Sequence, residues 1–178
     1  MNTKLVYKLV AYEDDKEILS EKLSFEILRT IISNFPDSFD KNPLYRLIAQ
    51  HPSSCIREEI AYKDKISEEV CEILSKDISV TVLKNLTRSS GFKECATYEI
   101  LERLIKLDSE CAENIASDIE SYQLVDVSKL AELIFQHEDP RVLLSLANNY
   151  AAPKRILKNL ANHDDYAISS AAKKTLNR

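Results

Sequence analysis

A chain of 178 residues, 44% hydrophobic and 30% charged, suits one folded domain with a substantial core and excludes a disordered chain. One glycine and five prolines disfavour β-rich folds and nucleotide-binding α/β folds, which need glycine for hairpins, bulges and phosphate loops. A formal charge of -5 disfavours a free-standing nucleic-acid binder, and no apolar run reaches the ~20 residues that span a bilayer.

In chain order, Leu5, Val6, Leu9 and Val10 fit a short helix face, and Ile18, Leu19 and Leu23 continue a helical pattern. Lys8 interrupts the apolar start and Glu13, Asp14 and Asp15 follow it. No signal peptide is therefore expected, and the expected setting is the cytoplasm with reduced cysteines. Ser24 caps a clearer helix with Ile27, Leu28, Ile31 and Ile32 on one face. Asn42-Pro43 opens the next helix and His51-Pro52 ends it. Helices then start at Ser53, Ser67 and Asp77, and Gly91 is expected in the loop 88–91. Thr97, Asp108, Ser128, Asp139 and Pro153 start further helices, and the last runs from Tyr166 to Leu176. A longer connection, 117–126, separates the Asp108 helix from the one at Ser128.

These pieces fall into two classes. One begins with Asp or Ser and carries an apolar residue about seven positions on, usually followed by Ala: Ile60-Ala61, Ile115-Ala116, Leu146-Ala147, Ala171-Ala172. The other begins with Ser, Thr or Pro and carries an apolar pair three and four positions on, as in Ser24 with Ile27-Leu28, Ser67 with Val70-Cys71, Thr97 with Ile100-Leu101 and Pro153 with Ile156-Leu157. Starts at 67, 97, 128 and 153 lie 30, 31 and 25 residues apart, the spacing of a helix-pair unit that buries its apolar face only against its neighbours.

Asp139-Pro140-Arg141-Val142, Leu146-Ala147 and Asn149, followed by Pro153, Ile156-Leu157, Leu160-Ala161 and His163-Asp164, resemble a variant leucine-rich repeat. They are also similar, more loosely, to HEAT repeats. The resemblance is good over 127–176, fair over 44–116 and poor before 40. It implies an all-α fold: a right-handed α-solenoid of about five to six stacked helix pairs. An irregular N-terminal cap would occupy 1–40, helix-pair repeats 41–163 and a C-terminal capping helix 164–178. Such stacks offer an extended groove, often for protein and in some relatives for nucleic acid.

No residue set has catalytic or metal-site spacing. Cys55, Cys71, Cys95 and Cys111 form no C-x-x-C pair and have no His at ligand spacing, so they are expected as small buried side chains. His51, His137 and His163 each end a second-class helix, and equivalent positions strung along a stack cannot converge on one metal ion. Asp77, Asp108, Asp139 and Asp165 recur at helix starts as N-caps rather than as an acid/base pair. No catalytic residue, cofactor, metal, membrane or small-molecule ligand is expected.

Charge distribution carries the functional expectation. Residues 108–139 hold nine acids against Lys129 alone, a net -8, whereas residues 140–178 hold seven bases against two acids, a net +5. An acidic field rimmed by a loop with a tyrosine would steer a basic protein. The expected partner-binding residues are Asp118, Glu120, Tyr122 and Asp126, with Glu110 and Glu113. The expected function is non-enzymatic binding of a basic protein, one concrete form being an immunity protein or antitoxin that neutralises a nuclease toxin. The alternatives are a scaffold or adaptor in a larger complex and, on Lys154, Arg155, Lys158, Lys173 and Lys174, a HEAT-like DNA glycosylase or nucleic-acid binder.

Overall fold

The computed structural model describes residues 8–178. The described chain is mostly helical, with twelve α-helices preceded by one β-hairpin. No helix among the described residues is long and apolar enough to cross a membrane.

The hairpin corrects the helical expectation at the N-terminus. Strand β1 (Lys8–Glu13) pairs antiparallel with β2 (Lys16–Lys22), from Lys8 opposite Lys22 to Glu13 opposite Lys16, with a bulge at Ala11/Tyr12. The turn is made by Asp14 and Asp15, both left-handed at φ 43° and 60°. A tight two-residue turn needs that conformation, and aspartate tolerates it without glycine. The scarcity of glycine therefore did not exclude a hairpin. Leu5 and Val6 lie outside the described residues.

The helices follow as α1 (Phe25–Ser33), α2 (Asn42–Ile48), α3 (Ser54–Ala61), α4 (Glu68–Ser75), α5 (Val80–Arg88), α6 (Ser90–Cys95), α7 (Tyr98–Leu107), α8 (Ser109–Ser117), α9 (Val127–Phe135), α10 (Pro140–Asn148), α11 (Lys154–Leu160) and α12 (Tyr166–Leu176). Ser24, Ser67, Thr97, Asp108, Asp139 and Asp165 cap their helices by accepting hydrogen bonds from backbone N–H groups of the first turn. Helix α9 starts one residue before the expected Ser128, and its cap is Asp126. Helix α5 starts at Val80 and is preceded by Ser79, not by Asp77.

Packing follows the two classes. In one layer α1 packs on α3, α3 on α5, α5 on α8, α8 on α10 and α10 on α12. In the other, α2 packs on α4, α7 on α9 and α9 on α11, with the short α6 against α4 and α5. The two layers share one core, running from Leu28 to Ala172. Helix α1 belongs to the first layer although its cap and apolar pair match the second class, because that local pattern does not encode which neighbour a helix meets. Only Leu28 and Ile32 of α1 are buried; Ile27 and Ile31 are 53% and 36% exposed.

Gly91 lies in the first turn of α6 and not in a loop. A Cβ there would overlap the Asp64 carbonyl oxygen and stand 2.9 Å from Ile66 Cγ1, so the close approach of backbones requires glycine. The three recurring histidines share one turn. Nδ1 of His51, His137 and His163 accepts the N–H of Ser53, Asp139 and Asp165, each at 3.0 Å, and so closes the link into the following first-layer helix. Asp77 accepts two hydrogen bonds from Arg57 of α3, Nε to Oδ2 at 2.6 Å and Nη2 to Oδ1 at 2.7 Å, and a third from Ser79 N–H at 2.8 Å. It ties α3 to the start of α5 instead of capping a helix. Of the cysteines, Cys71 and Cys111 are buried and Cys95 is half-buried, but Cys55 is exposed, on the outer side of α3.

Candidate partner-binding surface

The expected site residues spread over three places. Glu110, in the first turn of α8, meets Lys84 Nζ at 2.7 Å and Arg88 Nη2 at 2.9 Å, both from α5. The hydrogen bond from Lys84 holds its carboxyl below the usual carboxylate range. Glu113 is half-buried one turn further along α8, on the side where Arg141 approaches from α10. Asp118 ends α8, roughly 12 Å from the Glu110 end of the helix. It pairs with Lys93 Nζ of α6 at 2.6 Å. Asp126 sits in the other layer, where its carboxylate accepts the Lys129 N–H at 2.8 Å and caps α9.

Tyr122 is the main correction. It is 2% exposed, with its ring edge-on to Phe92 at 6.2 Å between centroids and an interplanar angle of 87°. Among the described residues its hydroxyl meets no hydrogen-bond partner, and burial pushes its ionisation well above the ordinary phenol range. The connection 117–126 does not stand off as a loop. A 3-10 turn, Ile119–Ser121, folds it back, and Ile119 and Tyr122 enter the core. An apolar residue three before the tyrosine was the available signal.

The acidic field is also smaller in space than along the chain. Asp108, Glu110, Asp118, Glu132 and Asp139 all pair with bases from outside 108–139, namely Lys84, Arg88, Lys93, Arg155 and Arg141. A tally within one segment cannot include cations that neighbouring units bring alongside. At the other end, Lys154, Lys158, Lys173, Lys174 and Arg178 are exposed and in no ion pair among the described residues.

What these elements do bring together is centred on Glu120. Its Oε2 accepts a hydrogen bond from Asn149 Nδ2 at 2.9 Å. The same Nδ2 reaches the Ser117 carbonyl at 2.8 Å, while Asn149 Oδ1 accepts the Ala151 N–H at 2.8 Å. Asn149 is thus locked between the end of α8 and the turn after α10, and it presents Glu120 in a fixed orientation. Tyr150 follows on that turn and is 71% exposed. Its hydroxyl is raised by the charge and hydrogen bond of Glu120. Ser117, Ser145 and Asn148 complete a depression of about 310 Å³ around these groups. Tyr150, not Tyr122, is the tyrosine beside the acidic segment. Nothing in the local sequence sets Asn149 and Tyr150 apart within 139–165; only the fold brings them to Glu120.

No group of three His, Cys, Asp or Glu side chains among the described residues could hold a metal ion. Neither a family model nor a curated protein matches the chain.

Proposed function

We propose that the chain is an α-solenoid of HEAT-like or variant leucine-rich type, a non-enzymatic binding module for a basic protein. Its contact centre is the Glu120–Asn149–Tyr150 depression. The observation that carries the reading is the carboxylate of Glu120. It is exposed, held in place by Asn149, faces no cationic side chain among the described residues and stands beside an exposed tyrosine. A lysine or arginine of a partner has there a charge to meet, an amide to flank it and an aromatic surface to lie on. Helices α8 and α10, which pack on each other in one layer, support that contact from both sides. An immunity protein or antitoxin acting on a basic nuclease toxin in the cytoplasm is the form we favour.

Affinity purification from native cells, followed by binding of the purified partner to variants, tests this. Glu120→Lys and Tyr150→Ala are each expected to weaken binding about tenfold or more, with affinity falling as salt rises. Unchanged affinity in both variants removes the surface assignment. Reversal of Asp118 and Asp126 should matter less than reversal of Glu120, because Lys93 and the α9 amide already engage them. A scaffold role is favoured by one observation: Phe25, Ile27 and Ile31 of α1 are uncovered at the N-terminal end. Capture of a multi-protein assembly would support that role. Retention on DNA at low salt, abolished in Lys173→Glu/Lys174→Glu, would instead favour the nucleic-acid reading.

A further inference from the structure

The depression around Glu120 is unbalanced in its hydrogen-bonding groups. Its donors are largely engaged. Asn149, 5% exposed, directs Nδ2 to the carbonyls of Ala116 at 3.3 Å and Ser117 at 2.8 Å and to Glu120 Oε2 at 2.9 Å. The Ser117 hydroxyl donates to the Glu113 carbonyl at 2.9 Å, one turn back along α8. Asn148 Nδ2 donates to the Leu144 carbonyl at 3.0 Å, one turn back along α10. The acceptors are far less used. Asn148 Oδ1 and Ser117 Oγ accept no hydrogen bond among the described residues. A carboxylate has about four lone-pair sites, so the bond from Asn149 leaves Glu120 able to accept more. Glu120 is exposed and in no ion pair among the described residues. The Ser145 hydroxyl can turn to accept as readily as to donate.

We infer, on the reading of this depression as the contact for a basic partner, that the side chain it takes is an arginine and not a lysine. The charge of Glu120 calls for a cation, and the unused acceptors call for one with many donors. They come from three elements: Ser117 from the end of α8, Glu120 from the turn Ile119–Ser121 and Asn148 from the end of α10. A guanidinium spreads five N–H donors over a plane, so it can meet Glu120 with one edge and Asn148 or Ser117 with another. An ammonium gathers three donors at one point and is more strongly hydrated, so it meets Glu120 and leaves the remaining acceptors to water. Tyr150 lines the same depression and is 71% exposed. Its ring offers a face on which a flat, delocalised cation stacks. Asn149 holds Glu120 in place before the guest arrives, which lowers the ordering cost of contact.

The test is an amide NMR titration of the isotope-labelled full chain with three blocked tripeptides at constant ionic strength. They are acetyl-Gly-Arg-Gly-amide, its lysine counterpart and its citrulline counterpart, which keeps the shape of arginine without the charge. The arginine peptide is expected to shift the amides of Ser117, Glu120, Asn148 and Tyr150 and to bind at least about fivefold tighter than the lysine peptide. The citrulline peptide is expected to leave them in place. Glu120→Gln should remove the arginine shifts and Tyr150→Ala should weaken them, while the rest of the spectrum reports an intact fold. Equal affinity for the arginine and lysine peptides at these residues overturns the choice of arginine and leaves the basic-partner reading standing. Citrulline binding as tight as arginine binding, or arginine shifts that persist in Glu120→Gln, overturns the inference as well. Absence of shifts with both cationic peptides overturns it together with the surface assignment.

Discussion

Arg57 holds Asp77 through two short hydrogen bonds, and its Nη1 donates to the carbonyls of His51 at 2.7 Å and Pro52 at 3.0 Å. Their side chains are only 11% and 4% exposed. Removing one partner strands the other charge away from water, so Arg57→Ala should cost about 3–5 kcal/mol, read from chemical denaturation. A cost under about 1 kcal/mol would show that water reaches Asp77. His51, next to this pair, gives a pH dependence with a definite sign. Burial lowers its pKa from the ordinary 6.5, and the neutral ring is the form that accepts the Ser53 N–H. The folded state thus favours loss of the proton. The contribution of His51 is in place above pH 6.5 and disappears as pH falls through the lower folded value. The melting temperature should drop between about pH 7 and pH 5, and His51→Asn should flatten part of that slope. An identical slope in the variant would assign the effect to another group.

Single elements show what local sequence can encode. The six-residue α6 exists because Ser89 caps it, its side chain accepting the Phe92 N–H at 3.1 Å, and because Gly91 lets its first turn lie against the Asp64 carbonyl. Gly91→Ala must push backbone from backbone and should destabilise the chain by about 1–3 kcal/mol, measured by thermal or denaturant unfolding. No loss would mean that α6 shifts freely. Caps and apolar pairs were legible: Ser67, Thr97, Asp108, Asp139 and Asp165 start helices as their side-chain chemistry requires. The hairpin was not. Strand pairing joins residues across a turn, and here the turn is Asp14-Asp15 where glycine or asparagine is the usual mark. The layer of α1 was hidden for the same reason, since Leu28 and Ile32 are buried by α3, which lies about 30 residues on. Candidate site residues fared similarly. Glu120 could be picked as an acid in a long connection, but only the fold shows Tyr122 going inward and Asn149 reaching back from the next unit.

At the scale of the molecule, the two ends differ. Tyr166, Lys173 and Lys174 of α12 and Arg178 beyond it are exposed and give one end of the described chain a polar surface. The other end exposes Phe25, Ile27 and Ile31, and among the described residues its hairpin pairs mainly with itself. Two strands without a third element against them are marginal in water. Hydrogen exchange should therefore strip protection from the β1 and β2 amides well before those of α5, α8 and α10, and equal protection would place the hairpin within the same cooperative unit. The three histidine turns have a wider consequence. Each link into a first-layer helix at His51, His137 and His163 is closed by residues two positions apart, the ring nitrogen and the N–H of Ser53, Asp139 or Asp165. Such a joint asks nothing of distant residues, so a substitution elsewhere in the core leaves the angle at which the next helix arrives unchanged.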